Sequence, residues 1–125
     1  MRITHPYLLW RHLRRVMNPE VEEFWASALN SHKELIRSAC IFRGSVDCCF
    51  VHPRDVFRFA LQNNASSMIL AHNHPSQCAE PSPEDLKIHR NFLKAARVLQ
   101  IPIIDHLIVT DTKYFSFCEK KLMLG

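Results

Sequence analysis

The run His72-Asn73-His74-Pro75-Ser76, with Ser82 and Asp85 shortly after it, gathers two imidazoles, a hydroxyl and a carboxylate into one stretch of chain. Residues two apart on an extended strand point to the same side, so His72 and His74 can converge on one ion. Asp85, just inside a following helix, can close a three-ligand set. That set suits Zn2+: two His and one carboxylate leave the fourth tetrahedral position to water, whereas structural zinc sites are closed by four protein ligands rich in Cys. None of the five cysteines is needed. Zinc lowers the pKa of bound water to about 7, so the pattern points to hydrolytic catalysis.

Particular elements must hold these groups. Ser66-Ser67-Met68-Ile69-Leu70-Ala71 is a short apolar run that reads as a buried strand whose end opens into the site. Ser82-Pro83-Glu84-Asp85 reads as a helix start, with Ser82 as N-cap, Pro83 at the first helical position and two acids in the first turn. Asp85 then sits at the positive end of the helix, which keeps a carboxylate ionised. The loop from Pro75 to Pro81 is stiffened by two prolines. A His pair or a helix cap is commonplace alone, and their juxtaposition is what points to a site.

Residues 72–85 match the JAMM motif, His-x-His-x(7)-Ser-x(2)-Asp, of the MPN/JAB metallopeptidase domains. The flanking words Val51-His52-Pro53-Arg54-Asp55, Asn64-Ala65-Ser66-Ser67, Pro81-Ser82 and Asp105-His106 resemble the RadC branch in particular. The resemblance runs from about Glu22 to Leu122. It implies an α/β MPN fold, cytidine-deaminase-like, with a mixed central sheet flanked by helices. It also implies a zinc-dependent hydrolase of peptide or isopeptide bonds, acting on a peptide or protein substrate. Carried over by position, His72, His74 and Asp85 would bind zinc, Ser82 would hydrogen-bond the developing oxyanion, and an upstream Glu would be the general base. Glu22 is the choice for the base because it opens a segment resembling the family strand with Glu-x-Phe. Glu23 would face the other side of that strand, and Glu34 lies beyond the turn at Asn30-Ser31-His32-Lys33.

The competing expectation is a catalytically silent MPN module serving as an interaction or DNA-repair accessory protein; silent members usually lack the ligand trio that is intact here. Two departures from the family pattern stand out. Gln77 occupies a position that is usually Gly, so a positive φ there would strain a side chain. Nothing before Glu22 fits the upstream helix-hairpin-helix module that RadC-like proteins generally carry, so residues 1–125 are expected to be a single MPN/JAB domain. The string His-Asn-His is no sign of an HNH nuclease, whose three residues are scattered along a ββα unit.

At 125 residues and 47% hydrophobic, the chain can bury one real core. No run reaches the ~20 apolar residues of a membrane span, and the start lacks a signal peptide's apolar core, so a cytoplasmic protein with no membrane partner is expected. Five cysteines, odd in number and without C-x-x-C spacing, argue against a disulfide framework. Most are expected to be small buried hydrophobes, with Cys78 beside the proposed metal the exception. The net charge of +4 and pI near 9.0 allow weak binding to acidic partners such as nucleic acid. Yet the bases, apart from Arg2, Arg11, Arg14 and Arg15, are dispersed among acids, as on an ordinary solvated face.

Apolar spacing predicts a helix over 6–17, strands over 22–30, 35–42 and 48–51, and a helix over 54–62 buried through Val56, Phe57, Ala60 and Leu61. After the histidine strand it predicts a helix over 83–99 buried through Leu86, Phe92, Leu93, Ala96 and Leu99, then strands over 102–109 and 114–118. His106 reads as a core histidine able to orient a ligand imidazole, and His89 as a surface residue. Asn73 is expected to fix the loop, and Trp25, Phe57 and Phe59 to be core.

Overall fold

Pro6 begins the first helix, α1 (Pro6–Val16), and the His5 ring accepts the N–H of Tyr7. Proline suits that position because the N–H it lacks would have no partner within the helix. The computed structural model describes residues 1–44 and 51–123. Among them α1 is followed by β1 (Glu23–Leu29), β2 (Leu35–Arg43), α2 (Pro53–Gln62), β3 (Ser67–Asn73), α3 (Pro83–Leu99), β4 (Ile103–Val109) and β5 (Tyr114–Ser116). These elements fall within two residues of the bounds read from periodicity. The strand expected over 48–51 lies almost wholly outside the described residues.

The strands form one mixed sheet in the order β2-β1-β3-β4-β5. Only β3 and β4 are parallel, joined by α3 as the crossover helix; the other neighbours are antiparallel. This is the architecture of a JAB/MPN-type fold. Side chains alternate across the sheet and feed two apolar cores. Phe24, Ala26, Met68 and Leu70 pack with Val56 and Phe57 of α2 and with Ile88, Phe92 and Leu93 of α3. On the other face Ile69, Ala71, Leu107 and Val109 meet Leu9, Trp10 and Leu13 of α1. The alternation that sends Met68 and Leu70 toward α3 sends His72 there too. No helix among the described residues is long and apolar enough to cross a membrane.

Several expected positions differ. On α2, Leu61 is exposed although Phe57 and Phe59 are buried as expected, and on α3, Leu86 is half-buried and Leu99 exposed. The buried side of α3 instead runs through Asp85, Ile88, His89, Phe92, Leu93 and Ala96. That stripe has the i, i+3, i+4, i+7 spacing of a helix face, but its first turns carry polar types, which is why a search for apolar residues misses them. His89, taken as a surface residue, is among the most deeply buried side chains. Trp25 is half-buried rather than fully enclosed. Two cysteines also differ from expectation, Cys40 being half-buried and Cys118 exposed, while Cys78, the expected exception, is exposed. Cys78 lies in the loop before α3 and Cys118 in the turn after β5, where local position outweighs the average burial of the residue type. Cys48 and Cys49 lie outside the described residues.

Candidate metal centre

The β3–α3–β4 unit sets up the site. His72 stands near the end of β3, His74 just beyond it and Asp85 in the first turn of α3. The α3 start is a full capping box: Ser82 Oγ accepts the Asp85 N–H at 3.1 Å, and Asp85 Oδ2 accepts the Ser82 N–H at 2.9 Å. Such a box satisfies two helix-end donors reciprocally, so the carboxylate that faces the histidines is fixed by the backbone as well.

His72 Nε2, His74 Nε2 and the Asp85 carboxylate form a triangle. Its edges are 3.2 Å between the two nitrogens, 3.2 Å from His72 to Oδ1 and 3.1 Å from His74 to Oδ2. Ligands held about 2.0–2.1 Å from a tetrahedral zinc lie roughly 3.3 Å apart, so the edges already fit that ion. The tautomer of His74 strengthens the case. Its Nδ1 is 2.7 Å from the carbonyl oxygen of Cys78, which can only accept, so Nδ1 carries a hydrogen and a neutral ring aims the Nε2 lone pair at Asp85. Lone pairs and a carboxylate crowded together repel one another unless a positive charge lies among them.

With no ion bound, a proton takes its place. Burial alone would raise the Asp85 carboxyl, but the neighbouring His72 and His74 override it and hold the group well below the usual carboxylate range. Asp85 in turn raises His74 above its ordinary value, with the charge of Glu22 adding to the effect, so a proton and a metal ion would compete for the His74 Nε2. These three residues are the group able to hold a metal ion among the described residues.

Of the two adjacent acids, Glu23 is fully buried and its oxygens are taken. They accept the N–H of Asn18 at 2.8 Å, the Trp25 indole at 2.9 Å and the Arg43 Nε at 2.7 Å. Those bonds lower its pKa although burial, the largest single influence, acts to raise it. Glu22 is half-buried, and extending the pairing of Phe24 with His72 by two residues puts it beside His74. Glu34 follows the turn at the far end of β1 and hydrogen-bonds Asn30 there, away from the histidines.

Comparison with known proteins completes this geometry: the model of the "RadC-like JAB domain" matches residues 3–122. The chain belongs to the RadC-like JAB domain family. It is 40% identical over 111 residues to a UPF0758 protein of Symbiobacterium thermophilum, covering 89% of this chain and 47% of that protein. A UPF0758 protein of Saccharophagus degradans is 42% identical over 99 residues, 79% of this chain and 44% of its own length. One from Clostridioides difficile is 41% identical over 102 residues, 82% of this chain and 43% of the relative. The chain therefore spans less than half the length of these relatives.

Within this RadC-like domain, Gln77 does adopt the left-handed backbone, at φ 67°. Its side chain offsets part of the strain by accepting the Asp111 N–H at 2.9 Å, which ties the metal loop to the β4–β5 turn. Asn73 fixes a loop, but not the one after it: its amide donates to the carbonyls of Asn18 and Val21 and accepts the Glu23 N–H, pinning the approach to β1. Behind His72 lie two residues whose joint role was not legible. His106 Nε2 is 2.9 Å from His72 Nδ1, and His106 Nδ1 is 3.1 Å from His89 Nδ1. Burial holds His106 well below its ordinary pKa and His89 down to about 4, so both are neutral at physiological pH. The i, i+4 spacing of Asp85 and His89 was the signal that could have placed His89 on the site's helix face.

Proposed function

We propose that this RadC-like domain is a zinc-dependent metallopeptidase or isopeptidase that cleaves an amide bond of a peptide or protein substrate. The observation that carries the reading is the triangle of His72, His74 and Asp85, sized for one tetrahedral ion and standing at the end of a parallel strand. Ligand sites in α/β folds favour such strand ends. When bound, zinc acidifies water and polarises a carbonyl.

The remaining work falls to the chain's own residues. His72 and His74 would hold the ion through the Nε2 atoms that face Asp85, and Asp85 through its carboxylate. Glu22, whose charge reaches His74, accepts the proton of the attacking water and passes it to the leaving amine. The Ser82 oxygen accepts from Asp85 N–H, which leaves its hydroxyl hydrogen free to donate to the oxygen that becomes negative in the tetrahedral state. Loss of one such donor costs on the order of 10²-fold in rate, so Ser82 matters less than any ligand. The alternative, a silent module with a scaffolding role, gives no reason for three ligand atoms to face one another at these distances.

Elemental analysis of freshly purified protein tests the site. About one zinc per chain is expected, falling in both Asp85→Asn and His74→Ala; unchanged metal in both variants ends the assignment. Glu22→Gln is expected to keep the metal while abolishing cleavage of linear and isopeptide-linked peptide libraries read by mass spectrometry. Undiminished cleavage in that variant removes Glu22 from the role.

A further inference from the structure

The rings of His72, His106 and His89 form a continuous chain of short contacts that leads away from the metal centre and ends on a backbone carbonyl. His72 Nδ1 meets His106 Nε2 at 2.9 Å, His106 Nδ1 meets His89 Nδ1 at 3.1 Å, and His89 Nε2 meets the Leu122 oxygen at 3.2 Å. All three histidines are buried. The chain is clamped by stacking: Phe24 lies parallel to His72 and Phe117 nearly parallel to His106, with Phe117 also tilted against His89 at 4.3 Å. The end carbonyl is itself fixed, because the Leu122 N–H donates to the Phe117 oxygen and the Phe117 N–H donates to the His106 oxygen.

A carbonyl oxygen can only accept, and each neutral imidazole has one donor nitrogen and one acceptor nitrogen. Starting from Leu122, His89 must therefore carry its hydrogen on Nε2 and offer Nδ1 as acceptor. His106 must then donate from Nδ1 and accept at Nε2. His72 must donate from Nδ1, which leaves its Nε2 lone pair bare, and Nε2 is the atom that faces His74 and Asp85. With all three rings neutral, no other assignment satisfies the three contacts from Leu122 to His72.

We propose that His106 and His89 are positioning residues that transmit the polarity of the Leu122 carbonyl to His72, locking it in the one tautomer able to ligate a metal through Nε2. The chain goes beyond the ligand set and rests on the metal reading for its purpose, while the contacts behind His72 are present without any ion. In this arrangement the segment after β5 acts on the metal centre without touching it. Partners that orient a ligating imidazole typically change metal affinity by about 10–100-fold when removed.

Two-bond proton–nitrogen correlation spectra of the metal-free, 15N-labelled protein near pH 7.5 read the tautomers directly. The expected result is His72 and His106 as Nδ1–H forms and His89 as the Nε2–H form. A His72 that is mainly Nε2–H, or an even mixture, overturns the proposal. His89→Phe keeps an aromatic ring against Phe117 but removes both nitrogens; His72 is expected to become a tautomer mixture and zinc affinity, measured by chelator competition, to fall about 10-fold. His89→Gln restores an acceptor for His106 and a donor for Leu122, and is expected to recover both readings. Unchanged tautomer and affinity in His89→Phe would overturn the chain, as would a His89→Gln protein that folds but behaves like His89→Phe. If His89→Phe does not fold, the parent spectrum and His89→Gln still decide. A parent that takes up no zinc yet shows the expected tautomers overturns the metal reading and upholds the chain.

Discussion

The two histidines of the candidate metal centre stand side by side but are supported in opposite ways. His74 is partly exposed, sits on the loop after β3, and is oriented by a single carbonyl four residues on, that of Cys78. His72 is buried in the sheet face, stacked under Phe24, and oriented through two further imidazoles from α3 and β4. A local carbonyl sets one ligand and a tertiary network sets the other. The difference teaches that one side of the site can adjust with its loop, while the other moves only if the core moves.

The largest expected effect separates the two supports on stability. In metal-free protein, His72→Ala should cost about 2–4 kcal/mol, because it opens a buried cavity and strands a nitrogen of His106. His74→Ala should cost under about 1 kcal/mol, since the lost ring is partly solvated. Urea denaturation in the presence of chelator measures both, and equal losses would erase the contrast.

Next comes pH, in which the two regions act in opposite senses. His89 has a pKa lowered by burial to about 4, against roughly 6.5 in an unfolded chain. Between those values the unfolded state binds more protons, so this stabilisation is complete above about pH 6.5 and drains away as the pH falls toward 4, by on the order of 3 kcal/mol. His106 acts in the same direction. His74, raised by Asp85, contributes stability that is present at lower pH and lost as the pH rises through its folded pKa. The metal-free parent should therefore lose less stability between pH 7.5 and 5 than the buried pair alone would cost, and a larger loss in His74→Gln than in the parent is the expected urea-midpoint result. His89→Phe should flatten the same dependence, and identical slopes in all three proteins would break the comparison.

The neighbouring acids give a smaller test. Glu23→Gln should lower stability by about 1–3 kcal/mol, since buried and charged hydrogen bonds are weakened, while zinc content stays at the parental level. Metal loss in that variant would show that the approach to β1 also shapes the centre. The smallest expected effect is Gln77→Gly, which relieves a left-handed backbone but loses the tie to Asp111 and frees the unfolded chain. A net change within about 1 kcal/mol is expected in thermal melts, together with greater loop mobility around His74 in relaxation measurements. A mobility change that instead spreads to His72 would show the two supports to be coupled.

Short-range patterns made much of the molecule legible. The strand carrying His72, the capping box of Ser82 and Asp85, and the helix and strand order follow from spacings of two to four residues, which a linear reading contains. The misjudged positions were those where the residue type conceals the environment. His89 looks polar but completes the apolar stripe of α3, Leu61 and Leu99 look apolar but face solvent, and Cys118 sits in a turn.

From the sequence by itself came the candidate ligand trio, the helix start that presents Asp85 and the RadC-like character of the chain, because each is written in short stretches of neighbouring residues. The tertiary structure alone decided that Glu23 spends its oxygens on Asn18, Trp25 and Arg43, and that a carbonyl at Leu122 reaches His72 through two buried rings. Those contacts depend on the register of β1 against β3 and on α3 lying across β4. Such placements are set by the packing of distant segments, and no local periodicity encodes them.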